Sequence, residues 1–487
     1  MIKKLILSIG AVSVVALASS PYWAGMAVER QFEQQIQLLK QQPGMPPEIQ
    51  LSIDSYERGY LSSTAYTSFT LNLPVSAAQP AQPPLSRPVK VTMKHRIQHG
   101  PLVADSPFTI TLARFVSTFE LNDDLSAIER AYFDETPFFQ ATSYLSANGY
   151  SATHVEIPPY DGPSHDGNAT IHWAGLTLDS EGKWADMAGK AVLSAPMLEI
   201  SQAGNRFVLT GLRGNADSRI SPLGLALGSG TFTIDEAQAT GTMANGAPLS
   251  ISLHKLKLFF SMDEKEQIFA AAEEIGFENF MVDDARYEKG VLRFEFNNID
   301  APTLKSMQEK FQVAFAGMSG KPDPMAMQQA WMSIMQEALP GLLKHSPEFL
   351  VSKVELLTPD GLINGRLKVA IENADPARLS AGLPALIPFI NIEIDLSVPV
   401  PIIQEMARSA AHDQLTARLK ASKTEVDEAE LEKKIHEAAE QMLAQAEKQN
   451  IIKHVDNNYT ASFRFRQGQI ELNGLPAQGL MNMLPGA

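Results

Sequence analysis

The 487-residue chain contains no cysteine. That absence excludes disulfides, thiolate nucleophiles, Cys-ligated zinc, iron–sulfur clusters and a lipoprotein signal, which needs a cysteine at its cleavage point. Basic charge is also scarce. Forty Lys and Arg stand against 55 Asp and Glu, for a net charge of -15. No Lys/Arg cluster offers a phosphate-binding surface, so nucleic acid is excluded as a partner. Reaction motifs are missing too. There is no Gly-x-Ser-x-Gly elbow, no phosphate-cradling glycine loop, no His-Glu-x-x-His and no calcium-loop pattern of acids. The expectation is a protein that is not an enzyme, with no catalytic, metal or cofactor residue to name.

Long hydrophobic runs are rare, and the first is at the start. Lys3 and Lys4 precede 24 uncharged residues, Leu5 to Val28, and Glu29 is the first acid. Two readings fit. In one, Ala16-Leu17-Ala18 is the small-x-small site of a cleaved signal. In the other, Leu5 to Trp23 spans roughly 29 Å as a helix and is a retained anchor. Pro21 would then end or kink the helix, with Tyr22 and Trp23 at headgroup depth. Both readings leave the lysines inside and the body outside the cytoplasm. Residues 1–28 are therefore expected to be a membrane or signal anchor, with the lipid bilayer as partner of residues 5–28.

Residues 29–50 read as a stalk helix, with Phe32, Ile36 and Leu39 on one face, ending at Pro43, Pro46 and Pro47. From Tyr60 to Leu73 the pattern alternates. Leu61, Ser63, Ala65, Thr67, Phe69 and Leu71 share the drier face of a strand. Five prolines between Pro74 and Pro88 make a loop. A second strand places Val89, Val91, Met93, His95, Ile97 and His99 on one face. His95 and His99 are ~13 Å apart along an extended chain, too far to share a metal. His99 reads best as a hydrogen-bonded residue at a strand end. Tyr56, Arg58 and Gly59 read as a turn in which glycine supplies unusual backbone and arginine pairs with an acid.

Several short motifs recur in order along the chain: Tyr56-x-Arg58-Gly59-x-x-Ser62-Ser63, Ile97-x-His99-Gly100-Pro101, Thr136-Pro137-Phe138, Ala338-Leu339-Pro340 and Gln469-Ile470-x-Leu472-Asn473-Gly474. In this ordered set the chain resembles the YdgA-like envelope proteins of Gram-negative bacteria, a family without an established biochemical activity. The resemblance implies an uncleaved N-terminal helix that crosses the inner membrane once, a cytoplasmic N-terminus and a periplasmic body. It carries over no catalytic residues. Tyr56, Arg58, Gly59, Ser62, His99, Gly100 and Pro101 are its motif residues, without an assigned role.

From 102 to 300 strand follows strand, including Phe108 to Leu112, Leu193 to Ile200 and Leu249 to Phe259. Polar turns with Gly or Asn precede several of them, as at Ala203-Gly204-Asn205, Asn245-Gly246 and Lys289-Gly290. Pro359-Asp360-Gly361 and Arg466-Gln467-Gly468 repeat the figure. Glu264 to Glu274 reads as a short helix. Met307, Phe311, Phe315 and Met318 have helical spacing. So do Met327, Trp331, Ile334 and Ala338 after Asp323-Pro324, an N-cap and first helical residue. Six methionines lie between 307 and 335. A second helical pair spans 402–449 and breaks near Ser422, before a capping box at Thr424-x-x-Asp427.

The expected fold is α+β. An N-terminal transmembrane helix leads into a large curved antiparallel β-sheet with two helical pairs packed on it. Residues 51–300 are mainly β, and 301–487 form an α+β region with helices at 302–345 and 402–449. The expected function is a periplasmic binding or interaction protein, with a homo-oligomer or an envelope protein as partner. A second reading is handling of a lipid or other long apolar ligand, in a groove lined by Phe311, Phe315, Met327, Trp331 and Met335. A hydrolase built on His99 and a distant acid is the remaining alternative.

Overall fold

A computed structural model of the chain describes residues 20–37, 40, 49–71, 89–101, 103, 105–120, 137–164, 166–183, 188–242, 246–316, 324–374, 383–422 and 427–477. Within these the protein is mainly β, and every described strand pairing is antiparallel, with five α-helices. The chain divides into two compact units. The first comprises residues 1–242 and 304–338, the second 243–303 and 339–487.

In the first unit, helix α1 covers residues 20–37. Ala24, Val28, Phe32 and Ile36 are buried at a spacing of four, so one stripe faces the sheet while Tyr22, Trp23 and Glu33 face out. Burial of Val28, Phe32 and Ile36 contributes ~1.5–3 kcal/mol each. Helix α1 continues across position 28 without a break, and Pro21 lies in its first described turn. Residues 1–19 and Leu39 lie outside the described residues. No helix among the described residues is long and apolar enough to cross a membrane.

The sheet beneath α1 is a meander of β1 (Ile49–Arg58), β2 (Ser62–Leu71), β3 (Val89–His99), β4 (Thr111–Glu120), β5 (Gln140–Ser146) and β6 (Tyr150–Ile157). Ladders then run from β6 to β9 (Leu176–Lys183), β10 (Ala188–Gln202), β11 (Asn205–Ile220) and β12 (Ala226–Thr242). Strands β7 (Tyr160–Pro163) and β8 (Thr170–Trp173) form a side hairpin paired to β10. The alternation expected in β2 and β3 holds except at Ser68, which lies on the face expected to be wetter and is fully buried, bonded to Asp54 and Thr92. Ser63, Ala65, Thr67, His95, Ile97 and His99 are all buried. Phe108 to Ile110 are not strand, because β4 starts at Thr111.

The second unit begins with β13 (Pro248–Lys265) and β14 (Ile268–Phe277), which pair as a hairpin. This overturns the helix expected at Glu264 to Glu274. Glu266 and Gln267 both take positive φ, at 53° and 65°, which makes the mirror-image two-residue turn that suits hairpin twist. Neither residue type announces such a turn. After the short β15 (Asn279–Val282) and β16 (Ala285–Tyr287), the ladder continues through β17 (Lys289–Asp300), β18 (Glu348–Thr358), β19 (Gly361–Ile371) and β20 (Ile390–Pro399). Strand β21 (Lys453–Val455) pairs with β22 (Asn458–Arg466), which also joins β20 to β23 (Gln469–Leu472) and β24 (Leu475–Pro476). The turns at Ala203-Gly204 and Gln467-Gly468 have positive φ at both residues, as the hairpin pattern predicts.

Helices α2 (Ala301–Ala316) and α3 (Pro324–Leu342) form the first pair, and Pro324 opens α3 as expected. Asp323 lies outside the described residues. Helices α4 (Val400–Ser422) and α5 (Glu428–Lys448) form the second. The break at Ser422 is as predicted, but the N-cap is Asp427, without a side-chain hydrogen bond, and not Thr424. This second pair does not lie flat on the sheet. Its buried residues, Ala411, Ile435 and Ala439, pack helix against helix. Both helices are charged on their outer sides, which leaves too narrow an apolar stripe to cover a sheet as well.

Candidate functional site

The motif residues of the two ends of β1–β3 converge under helix α1. The His99 ring is held by Ser63 across the β2–β3 ladder, Nε2 to Oγ at 2.8 Å, and by the Tyr60 carbonyl at 3.2 Å from Nδ1. Its face lies against Gly25 of α1. A methyl group there would come within 2.5 Å of Cε1. Arg58 donates to Glu29 of α1 at 2.6 Å, and its guanidinium lies 5.7 Å from the centroid of the Tyr22 ring. Gly59 closes the β1–β2 turn by donating its N–H to the Ser62 carbonyl at 2.8 Å. Gly59 has no positive φ. Glycine is needed because a Cβ would stand 2.6 Å from that carbonyl oxygen. The expected ion pair of Arg58 is present, and the expected unusual backbone is replaced by close approach.

Gly100 donates to the Leu112 carbonyl at 2.8 Å, and Pro101 follows through a cis bond. The side chain of Ser62 is exposed, while its neighbour Ser63 is the buried partner of His99. Tyr56 packs on Phe32, and its buried hydroxyl faces Ser63 without a hydrogen bond of good geometry. Burial raises the Tyr56 pKa.

A second histidine sits one layer deeper. His95 is bonded at both ring nitrogens, to Thr67 Oγ1 at 2.9 Å and Ser117 Oγ at 2.8 Å. The ring of Phe32 packs edge-on against it at 5.3 Å. Burial lowers the His95 pKa to about 4. Burial, with help from the Arg58 charge, also lowers that of His99. Both imidazoles are neutral at neutral pH, which suits an apolar seam with hydroxyl partners. Ser63 and His99 have the order of a nucleophile and its base. Both are buried under α1, and among the described residues the His99 ring bonds Ser63 and the Tyr60 carbonyl and no carboxylate. The cluster is a latch for the helix. Among the described residues, no three His, Asp or Glu side chains converge to hold a metal.

Of the residues expected to line a groove, the four whose side chains are described, Phe311, Met327, Trp331 and Met335, do not line the described cleft between α2 and α3. Phe311 and Trp331 stack on each other at 4.9 Å, and Trp331 remains 51% exposed. Met327 and Met335 are half-buried, and the side chain of Phe315 lies outside the described residues. A cleft of about 400 Å³ between the helices is lined instead by Ser306, Lys310, Val313, Ala314, Ala330 and Ile334.

An extended apolar surface lies on the second unit, and it arises from register. Across β13, β14, β17, β18 and β20, one row contains Leu258, Ile275, Leu292, Val354 and Leu396. The next contains Phe260, Phe294, Val351, Leu367, Ile394 and Phe463, and another Phe296, Phe349, Val369, Ile392 and Phe465. Side chains two apart on a strand share a face, so these rows form one surface. None of these side chains is buried; Phe296, Ile275 and Leu396 are 48%, 42% and 42% exposed. Glu273 is the one charge within the three rows.

The opposite face of the same sheet carries paired charges. Arg293 bonds Glu295 at 2.8 Å and Glu274 at 3.4 Å. Lys368 bonds Glu348 at 2.7 Å, and Arg464 binds both oxygens of Asp395 at 2.7 and 2.9 Å. Those carboxylates and cations satisfy one another in water, so this is the solvent side. A one-sided sheet normally turns its polar face outward and covers the other. Here no side chain named in the three rows is buried among the described residues, and the rows follow from the register.

The protein is thus an antiparallel β protein with a latched N-terminal helix and a sheet face whose apolar side chains stay partly exposed among the described residues. It belongs to a family of bacterial proteins of unknown function, DUF945, whose pattern matches residues 1–478. The YdgA-like resemblance is compatible with that membership. No curated protein and no solved structure matches the chain.

Proposed function

We propose that this is a non-catalytic binding protein of the cell envelope, tethered to the inner membrane with a periplasmic body, that carries a lipid or similar long apolar ligand. The open apolar face of the second unit is the observation that carries this reading. Seven strands from β13 to β22 at ~4.8 Å spacing give a surface roughly 29 Å wide. An acyl chain spans about half of a ~30 Å bilayer core, so it fits within that width. A protein partner of ordinary chemistry would need about one hydrogen bond per 100–200 Å². The three rows offer Glu273 alone, because the backbone is already paired in the ladders. Hydrocarbon needs no such partners. The uncharged run Leu5 to Ser19, ahead of α1, supports a membrane tether.

The test is to purify the full chain in mild detergent and analyse bound lipid by native mass spectrometry and extraction. The wild type should retain lipid. The double variant Ile394→Glu, Leu396→Glu should retain several-fold less while keeping its circular dichroism spectrum. A lipid-free wild type, or a variant that holds as much as the wild type, would overturn the reading.

A further inference from the structure

We infer that one end of the first unit is seated in the headgroup layer of a membrane. In a meander, alternate turns lie at the same end. The β1–β2 turn at 59–61, the β3–β4 connection at 100–110 and the β5–β6 turn at 147–149 therefore share an end of the sheet. Helix α1 enters at that same end, because Trp23 and Ala24 face Pro101, Ile110 and Ala147 across a cleft of about 440 Å³.

That end is lined with exposed aromatic and aliphatic side chains. Tyr22, Trp23, Tyr60, Leu61, Ile110 and Tyr150 are each between 43% and 63% exposed. They come from four separate segments, so no single strand or helix pattern explains them. Asp105 is the one charged residue in the three turns. Tyr and Trp with an apolar body and a polar tip are the side chains that favour the headgroup boundary. The rim meets the helix whose preceding residues, Leu5 to Ser19, carry no charge. Arg58, bonded to Glu29 and lying over Tyr22, orients the helix and its aromatic tip towards the rim. The seating rests on residues of the first unit, so it stands apart from ligand carriage by the second.

The experiment places single tryptophans in the full chain. Trp23, Trp173, Trp184 and Trp331 are replaced by Phe, and Trp is introduced by Ile110→Trp, Tyr150→Trp or Glu120→Trp. Glu120 is the control at the far end of β4, roughly 33 Å from residue 110 at ~3.3 Å per residue. Each protein is reconstituted in phosphatidylethanolamine/phosphatidylglycerol vesicles carrying a spin-labelled lipid quencher near the headgroup. Quenching at 110 and 150 is expected to exceed that at 120 by more than threefold. Equal quenching at the three positions would overturn the seating. So would shielded indoles at 110 and 150 that the lipid quencher does not reach, which would mean a protein covers the rim. If the substituted chains misfold, Trp23 kept as the sole tryptophan gives the same reading without altering the rim.

Discussion

The imidazole of His99 lies directly against Gly25, so close that a methyl on Gly25 would reach 2.5 Å from the ring. A strand and a helix more than 70 residues apart in sequence are thereby fitted at one point. The Gly25→Ala protein should lose about 1–3 kcal/mol, the range for overpacking a filled site. Denaturant unfolding measures the loss, and His99→Ala in the same chain should recover part of it. Simple additivity of the two substitutions would refute direct contact between these residues.

His95 makes stability depend on pH. Its folded-state pKa of about 4 lies below the ordinary value of 6.5. Between these values the unfolded chain binds a proton that the folded chain does not, so stability falls as pH drops. The contribution is complete above pH 6.5 and lost by about pH 4. A shift of this size corresponds to about 3 kcal/mol. His95→Gln keeps a hydrogen-bonding side chain but does not titrate. Its unfolding free energy should fall less steeply than the wild type's over that window, and parallel pH curves would rule the proposal out.

The Arg58–Glu29 pair should matter less than its 2.6 Å distance suggests. Its side chains remain 34% and 27% exposed, so water and salt screen it. Arg58→Ala and Glu29→Ala should each cost under about 1 kcal/mol. A double-mutant cycle at low and high salt checks this. A coupling above about 2 kcal/mol would show a much drier site.

On the apolar face of the second unit, Phe296→Ser should cost under about 2 kcal/mol, well below the ~3–5 kcal/mol of truncating a core phenylalanine. About half of its surface already meets water, and its ring packs on Phe349 at 4.9 Å. Thermal unfolding together with retained-lipid analysis separates the two roles. Stability should change little and lipid retention should fall. A core-sized loss of stability would mean that the face is covered in the folded protein.

Much of this was legible from local pattern. Ser63, Ala65 and Thr67 are buried at a spacing of two, as the sequence periodicity says directly. Phe32 and Ile36 likewise declare the buried stripe of α1. Glu266 and Gln267 do not declare a hairpin, because neither residue type signals left-handed backbone, and tertiary pairing imposes it. Ser63 was overshadowed by Ser62, since which of two adjacent serines meets His99 depends on the β2–β3 register. The alternating Phe294 and Phe296 mark an apolar face on β17. Whether anything lies on that face is a matter of distant helices, and α4 and α5 spend their apolar residues on each other.

The first unit owns residues 304–338 as well as 1–242. Lys305, from the returning segment, donates to the Gly224 carbonyl at 3.3 Å, before β12. Its strands therefore leave the ribosome long before the helical segment that completes them. At about 5–20 residues per second, the lag is roughly 5–20 s. During that interval the nascent strands β1 to β12 stand without their last element, and a fragment cut at residue 242 would remain in that unfinished condition permanently.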